Sequence, residues 1–96
     1  MREDFIKYYK LFIDKFGIES QEMICIEEMS ELTKELCKLS RYKGSDKEKE
    51  ITDNIREELA DVLNMAEQLS YYYGSEEIEK IREFKINRLL SKIDKK

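Results

Sequence analysis

The chain has 96 residues, and its 22 acidic and 18 basic side chains give a net charge of −4. This length predicts a single domain, residues 1–96, near the small end of what buries an adequate core alone. The negative balance gives no reason to expect nucleic acid or an anionic membrane as a partner. No apolar run approaches the roughly 18 residues of a spanning helix, and no signal peptide opens the chain, so we expect a cytoplasmic protein.

The three glycines divide the sequence into four predicted helices. Each stands where an apolar repeat stops, at Gly17, Gly44 and Gly74. Glycine just past a helix end accepts the left-handed conformation that closes the last turn. The predicted helices cover residues 3–16, 20–42, 47–73 and 76–94. Ser45 and Glu48 have capping-box spacing for the third helix, and Ser75 is predicted to N-cap the fourth.

The first predicted helix is apolar over most of its circumference. Its apolar side chains are Phe5, Ile6, Tyr8, Tyr9, Leu11, Phe12, Ile13 and Phe16. A helix that is apolar nearly all round needs burial on more than one side, which four helices in one small chain cannot easily provide. We therefore expect a homo-oligomer, most simply a twofold dimer, whose interface uses this helix. Alternatively, some of these aromatic residues line a base pocket.

The second and third predicted helices each carry an apolar seam with alternating spacings of four and three. The second-helix seam is Cys25, Met29, Leu32, Leu36 and Leu39. The third-helix seam is Ile55, Leu59, Val62, Ala66, Leu69 and Tyr73. Two such seams joined by a short connection pack as an antiparallel hairpin. The predicted fold is all-α, with four helices forming a core of four-helix-bundle type that is completed by homo-oligomerisation.

Two acidic clusters, residues 27–31 and 57–61, lie in these two helices. Within each cluster carboxylates three residues apart, Glu28 with Glu31 and Glu58 with Asp61, share one side of a helix. Both pairs are predicted to flank the apolar seams, so at least four carboxylates converge if the helices pack side by side. Ionised acids at that separation repel one another and raise each other's pKa unless a cation neutralises them. The pattern favours a divalent metal site.

The absence of histidine limits the chemistry of such a site. It removes the usual zinc and non-haem iron centres and the usual general base. Oxygen ligands favour Mg²⁺, with Mn²⁺ as an alternative. A different interpretation stays open, in which the acids form a solvated face paired with basic residues at helical spacing.

Together the two clusters resemble the signature of the MazG-like, all-α nucleoside triphosphate pyrophosphohydrolases. The stretch 57–63, Glu-Glu-Leu-Ala-Asp-Val-Leu, is very close to that family's second motif. The resemblance covers residues 20–70 well, and 85–88, Lys-Ile-Asn-Arg, more loosely. In that family the helices assemble into dimers or tetramers of four-helix-bundle type.

The resemblance implies Mg²⁺-dependent hydrolysis of (deoxy)nucleoside triphosphates between the α- and β-phosphates, in the service of nucleotide-pool house-cleaning. It implies four metal ligands, Glu28, Glu31, Glu58 and Asp61. Glu28 also counts as catalytic, together with Glu27, which is an auxiliary ligand or positions the attacking water. The candidates for substrate binding are Lys34, Lys38, Arg41, Lys85, Asn87 and Arg88.

The sequence departs from the fuller family pattern after the Asn-Arg pair. Leu89 and Leu90 follow there, where some members carry aromatic and basic residues. The preferred base is therefore left open, and a phosphoribosyl-ATP pyrophosphohydrolase-like enzyme, with a similar acid arrangement, is an alternative. A non-catalytic helical interaction module is another. The response to Mg²⁺ distinguishes an enzyme from an interaction module. A metal that binds only the folded state raises the melting temperature, so Mg²⁺ should stabilise an enzyme and have little effect on a module.

Overall fold

The computed structural model describes residues 2–94, and over that range it contains helices and no strand. A short 3₁₀ turn, Glu3–Phe5, leads into four α-helices. They are α1 (Ile6–Phe16), α2 (Ile18–Tyr42), α3 (Glu48–Tyr73) and α4 (Ser75–Asp94). The predicted all-α fold with four helices is confirmed, and each predicted boundary lies within three residues of the observed one.

Glycine ends the helices as predicted, because each glycine has a positive φ that other residues rarely adopt. Gly17 has φ 85° and Gly74 has φ 111°. Their backbone N–H groups donate to the carbonyls of Ile13 and Ser70, which lie in the last turns of α1 and α3. These two residues set the corners at which the chain leaves α1 and α3.

The predicted caps are placed differently. Ser45 does not cap α3, because its hydroxyl donates to the Tyr42 carbonyl and accepts from the backbone N–H of Lys47 within the loop. Glu48 accepts from the backbone N–H of Gly44, which closes the same loop. Ser75 is the first residue of α4 rather than its N-cap. These side-chain hydrogen bonds therefore stabilise the loop between α2 and α3 and do not cap the start of α3.

Helices α2 and α3 form the antiparallel hairpin that the sequence predicts, and they pack more extensively than any other pair among residues 2–94. The Tyr73 hydroxyl, at the end of α3, donates to Glu22 near the start of α2. The Asn54 amide, near the start of α3, donates to Glu35 in the second half of α2 over 3.1 Å. The order of these pairs shows that the helices run in opposite directions.

The face that packs between the two helices is rotated from the predicted seam, so that seam is partly wrong. On α2 the buried and half-buried positions include Gln21, Cys25, Glu28, Leu32, Glu35 and Leu39. On α3 they include Ile51, Ile55, Glu58, Val62, Met65 and Gln68. Met29, Leu36, Leu59 and Tyr73, all predicted to lie in the seams, are exposed. The chain has more apolar residues than one hairpin contact covers, and spacing alone does not say which stripe faces inward.

The acidic residues are consequently deeper than predicted. Glu28 and Glu58 lie within the contact between α2 and α3, whereas the sequence placed them at its border. Among the described residues only Tyr9, Cys25 and Ile51 form the buried apolar core. A single hairpin thus buries acids and amides at positions that a larger bundle fills with aliphatic side chains.

Much apolar surface stays uncovered within one chain. Nineteen large hydrophobic side chains are at least 36% exposed, and all residues of α4 from 79 to 93 are exposed. Helix α4 contacts α3 alone among the described elements. The radius of gyration is 16.7 Å, against about 13 Å for a compact domain of about 100 residues. None of the helices in residues 2–94 has the length and apolarity needed to cross a membrane.

Helix α1 is held to α3 by a hydrogen bond between a buried tyrosine and a carboxylate. The Tyr9 hydroxyl, on a side chain only 3% exposed, donates to Glu67 over 2.6 Å. The backbone N–H of Arg2 donates to the same carboxylate oxygen over 3.1 Å. The bond from Tyr9 lowers the pKa of Glu67, more than the opposing effect of burial raises it.

Tyr9→Phe is expected to lower the free energy of unfolding by about 1–2 kcal/mol, because it leaves the ring but removes a hydrogen bond to a charged group. The depressed pKa of Glu67 contributes stability that is present above its ordinary pKa and lost as pH falls through the folded-state value. The difference in free energy of unfolding between Tyr9→Phe and the unmodified protein should therefore become smaller at acidic pH. Urea denaturation at several pH values measures this difference. Tyr8→Phe, at an exposed neighbour on α1, is the control, and equal losses in both variants contradict the assignment.

Candidate metal centre

Three carboxylates converge where the middles of α2 and α3 face each other. Glu28 on α2 and Glu58 and Asp61 on α3 each offer an oxygen, and these oxygens lie within 4.8 Å of one another. Glu58 and Asp61 are three residues apart, so they project from the same side of α3. The antiparallel hairpin then brings Glu28 opposite both. Three of the four predicted metal ligands are therefore together.

The surroundings of Glu28 and Glu58 disfavour their charged forms. Glu28 is half-buried, and burial, followed by the charge of Asp61 and a shared hydrogen bond with it, raises the pKa of Glu28. Burial also raises the pKa of Glu58, with the charges of Asp61 and Glu31 adding to the effect. Without a cation, these acids resist ionising together.

One oxygen of this cluster has no protein partner. Oε2 of Glu58 is buried and makes no hydrogen bond to any described residue. A buried polar atom without a partner is costly, and a cation bound between the three carboxylates removes that cost. The donor set is entirely oxygen, which suits a hard divalent ion such as Mg²⁺ or Mn²⁺. The residues present therefore fit such an ion. No second group of this kind occurs within residues 2–94.

The remaining two predicted acids, Glu31 and Glu27, are not among the converging carboxylates. Glu31 is exposed, yet its charge contributes to the raised pKa of both Glu28 and Glu58. Its oxygens are not among the three that converge. Glu27 is exposed and is not part of the converging group either. The structure thus separates an inner trio from two outer carboxylates.

A further acid, Glu35, lies seven residues after Glu28 on α2, about two helical turns, and was not predicted. It is 7% exposed and accepts hydrogen bonds from Asn54 over 3.1 Å and from Lys38 over 3.2 Å. The bond from Asn54, followed by that from Lys38, lowers the pKa of Glu35. Lys38, predicted to bind phosphate, is therefore paired with an acid of its own helix.

The other predicted substrate-binding residues are exposed and dispersed. Lys34 and Arg41 lie on α2, and the Arg41 guanidinium is 5.9 Å from the Tyr42 ring centre. Lys85, Asn87 and Arg88 lie on α4. Because α4 contacts α3 alone and does not touch α2, the described chain does not bring these three residues together with those of α2.

Polar positions repeated every seven residues are the signal that would have found Glu35 and the buried amides Gln21 and Gln68. On α2 they are Gln21, Glu28 and Glu35, and on α3 they are Asn54, Asp61 and Gln68. Residues seven apart return to nearly the same face of a helix. Each heptad carries an acid of the cluster at its centre. A search for apolar repeats alone finds neither of these polar repeats.

Comparison with known proteins adds no relative. No family model, curated protein or solved structure matches this chain. The likeness to the MazG-like enzymes therefore stays a prediction from the two acidic motifs.

Proposed function

We propose that this protein is a Mg²⁺-dependent hydrolase that cleaves (deoxy)nucleoside triphosphates between the α- and β-phosphates, as the resemblance to MazG-like enzymes implies. The observation that carries the proposal is the convergence of Glu28, Glu58 and Asp61 around a buried, unpartnered oxygen of Glu58. Glycine-rich phosphate loops are absent from the sequence, so a carboxylate cluster is the group available to grip a polyphosphate through metal.

Charge explains why metal is needed. A triphosphate carries several negative charges, and the cluster with Glu31 adds four more carboxylates, so direct binding is repulsive. Bound Mg²⁺ reverses this repulsion, polarises the phosphoryl group and lowers the pKa of a coordinated water. In this proposal Glu28, Glu58 and Asp61 hold the metal. Glu31 or Glu27, both exposed, orients the attacking water in place of the missing histidine.

The basic residues supply the electrostatic complement to the phosphates. Lys34 follows Glu31 by three residues and is exposed, so its ammonium group is free to approach the β- and γ-phosphates. Lys38 stays paired with Glu35 and contributes positive potential rather than a flexible contact. Lys85 and Arg88 reach a nucleotide only if α4 of one copy lies beside α2 of another.

Hydrolysis is expected to release the γ-phosphate within pyrophosphate and never as free phosphate. The reaction in ¹⁸O-water locates the attacked atom, because attack at the α-phosphorus places label in the monophosphate. A pyrophosphate-release screen with Mg²⁺ over standard and modified nucleotides, including phosphoribosyl-ATP, identifies the substrate. Label only in pyrophosphate would mean attack at the β-phosphorus, and free phosphate would mean a phosphatase. Either result contradicts the proposed reaction.

The proposal includes a homo-oligomer, dimer or tetramer. Exposed apolar residues on α2 and α3 lie on the side of the hairpin away from Glu31, and they include Ile26, Met29, Leu36, Leu59 and Leu63. An exposed apolar face of this kind marks an interaction site. A second copy that packs there completes a four-helix core and leaves the carboxylates open. Helix α1, with Leu11 and Phe16 exposed, extends the interface.

Sedimentation at micromolar concentration is expected to give a multiple of the 11.6 kDa chain mass. Leu63→Glu places a charge on a side chain that is 59% exposed in the single chain, so it should dissociate the oligomer without a direct clash. Lys80→Glu, at an exposed residue of α4, serves as the control. A well-folded 11.6 kDa monomer for the unmodified protein would refute the oligomer.

The extent of exposed apolar surface favours one competing function, that of a non-catalytic helical interaction module. In that case the carboxylates only face solvent and have no affinity for Mg²⁺. A melting temperature unchanged by Mg²⁺, combined with no hydrolysis of any nucleotide, would support the module over the enzyme.

A further inference from the structure

An open cavity of about 540 Å³ lies among α1, α2 and α3. Aromatic residues of the first helix, including Tyr8, Phe12 and Phe16, line one wall. Amide side chains from α2 and α3 line another, and no Asp, Glu, Lys or Arg borders the cavity. An uncharged, partly aromatic ligand therefore suits it better than a phosphate or a metal ion.

The cavity lies about one helical turn from the candidate metal centre along both α2 and α3. Ile24, in its wall, precedes Glu28 by four residues on α2, and Asn64 follows Asp61 by three residues on α3. Residues at these spacings lie on the same side of a helix, about one turn of 5.4 Å apart. The same short step on both helices separates the cavity from the carboxylates. A pentose spans a gap of this order between a base and its α-phosphate.

The amide wall contains a buried group without a partner. Gln68 lines the cavity, is 2% exposed, and its Oε1 makes no hydrogen bond to the described chain. This oxygen can accept a hydrogen bond but cannot donate one, so the missing partner must carry an N–H or O–H. A ligand with such a donor on a flat ring meets both requirements, stacking on the aromatic wall and pairing with Gln68.

We propose that this cavity is the base subsite, that it takes a nucleobase with an N–H donor on its edge, and that Gln68 determines this preference. The proposal rests on the proposed nucleotide function, which it deepens. Glutamine amides pair with base edges in the same manner in nucleic-acid recognition. The base then enters among the aromatics, while the phosphates reach the metal centre one helical turn away.

Binding of free nucleosides tests the subsite without metal, phosphate or turnover. Adenosine is compared with purine riboside, which lacks the 6-amino group, by ligand-observed NMR titration. Adenosine is expected to bind about tenfold more tightly, because purine riboside leaves the Gln68 oxygen unpaired. Equal affinities for the two nucleosides, or no binding of either, would overturn the proposal. No binding together with burial of the aromatic wall in an oligomer would assign the cavity to a second copy.

Gln68→Met separates a specificity role from a structural one, because it keeps the length of the side chain and removes the acceptor. The preference for adenosine over purine riboside is expected to disappear in this variant. Leu69→Met, at the neighbouring half-buried residue that does not line the cavity, should keep it. A folded Gln68→Met variant that still prefers adenosine would refute the role of Gln68 in specificity. If the variant does not fold, the comparison of the two nucleosides on the unmodified protein still tests the subsite.

Failure of the subsite and failure of the proposed function give different results. Hydrolysis of nucleotides with no nucleoside binding would remove the subsite and leave the enzyme. Selective nucleoside binding with no hydrolysis of any nucleotide would keep the subsite and remove the reaction.

Discussion

Asp61→Asn is expected to lower Mg²⁺-dependent hydrolysis at least about 100-fold, the scale of losing one electrostatic stabiliser of a transition state. The substitution keeps the size of the side chain but removes a charge from the converging trio of Glu28, Glu58 and Asp61. Asp61 is exposed, so no core packing is disturbed. Removal of one repelling charge should leave the metal-free protein at least as stable as before.

Glu58→Gln is expected to have a similar effect on turnover, because its buried Oε2 is the oxygen without a protein partner. Glu31→Gln is expected to lower turnover too, through the outer carboxylate beside the trio. Glu50→Gln removes the same charge from an exposed position on α3, two turns before Glu58, and should leave activity unchanged. Pyrophosphate release and circular dichroism report activity and folding. Near-normal turnover in Asp61→Asn and Glu58→Gln would refute the metal centre.

Without Mg²⁺, the free energy of unfolding is expected to fall as pH rises above the ordinary pKa range of carboxyl groups. The pKa values of Glu28 and Glu58 are raised from 4.5 in the folded state, so the folded chain binds protons more tightly than the unfolded chain. Stability therefore falls as pH rises from about 4.5 through the raised folded-state values. Carboxylates with lowered pKa values, such as Glu35 and Glu67, change the stability only at pH values below this range.

Mg²⁺ is expected to reverse this loss, since it binds the ionised carboxylates of the folded state. At 100 times its dissociation constant, a ligand of the folded state adds about 2.7 kcal/mol. Urea denaturation with Mg²⁺ or with chelator, across this pH window, measures both effects. The difference between the two conditions should grow with pH, and Asp61→Asn should abolish most of it. A stability that rises with pH in chelator, or a flat response to Mg²⁺, would contradict the coupling of these acids.

The order and type of the helices are readable from the sequence because the signals are local. Glycines at 17, 44 and 74 adopt positive φ values, and each stands at a helix end. The pairing of Glu58 with Asp61 follows from spacing along a single helix. Their approach to Glu28 needs only one further step, the antiparallel hairpin that a short loop imposes on α2 and α3.

Only the tertiary structure decides which side of each helix is buried. On both α2 and α3 the packed contact takes a face that mixes apolar residues with Glu28, Glu35 and Glu58, and it leaves Met29 and Leu59 exposed. Helical periodicity points to the more apolar stripe of each helix and cannot reveal this, because the buried face depends on how the backbones meet and on what else covers the surface. For the same reason the pairing of Lys38 with Glu35, the isolation of α4 and the cavity beside Gln68 could not be predicted from the sequence alone.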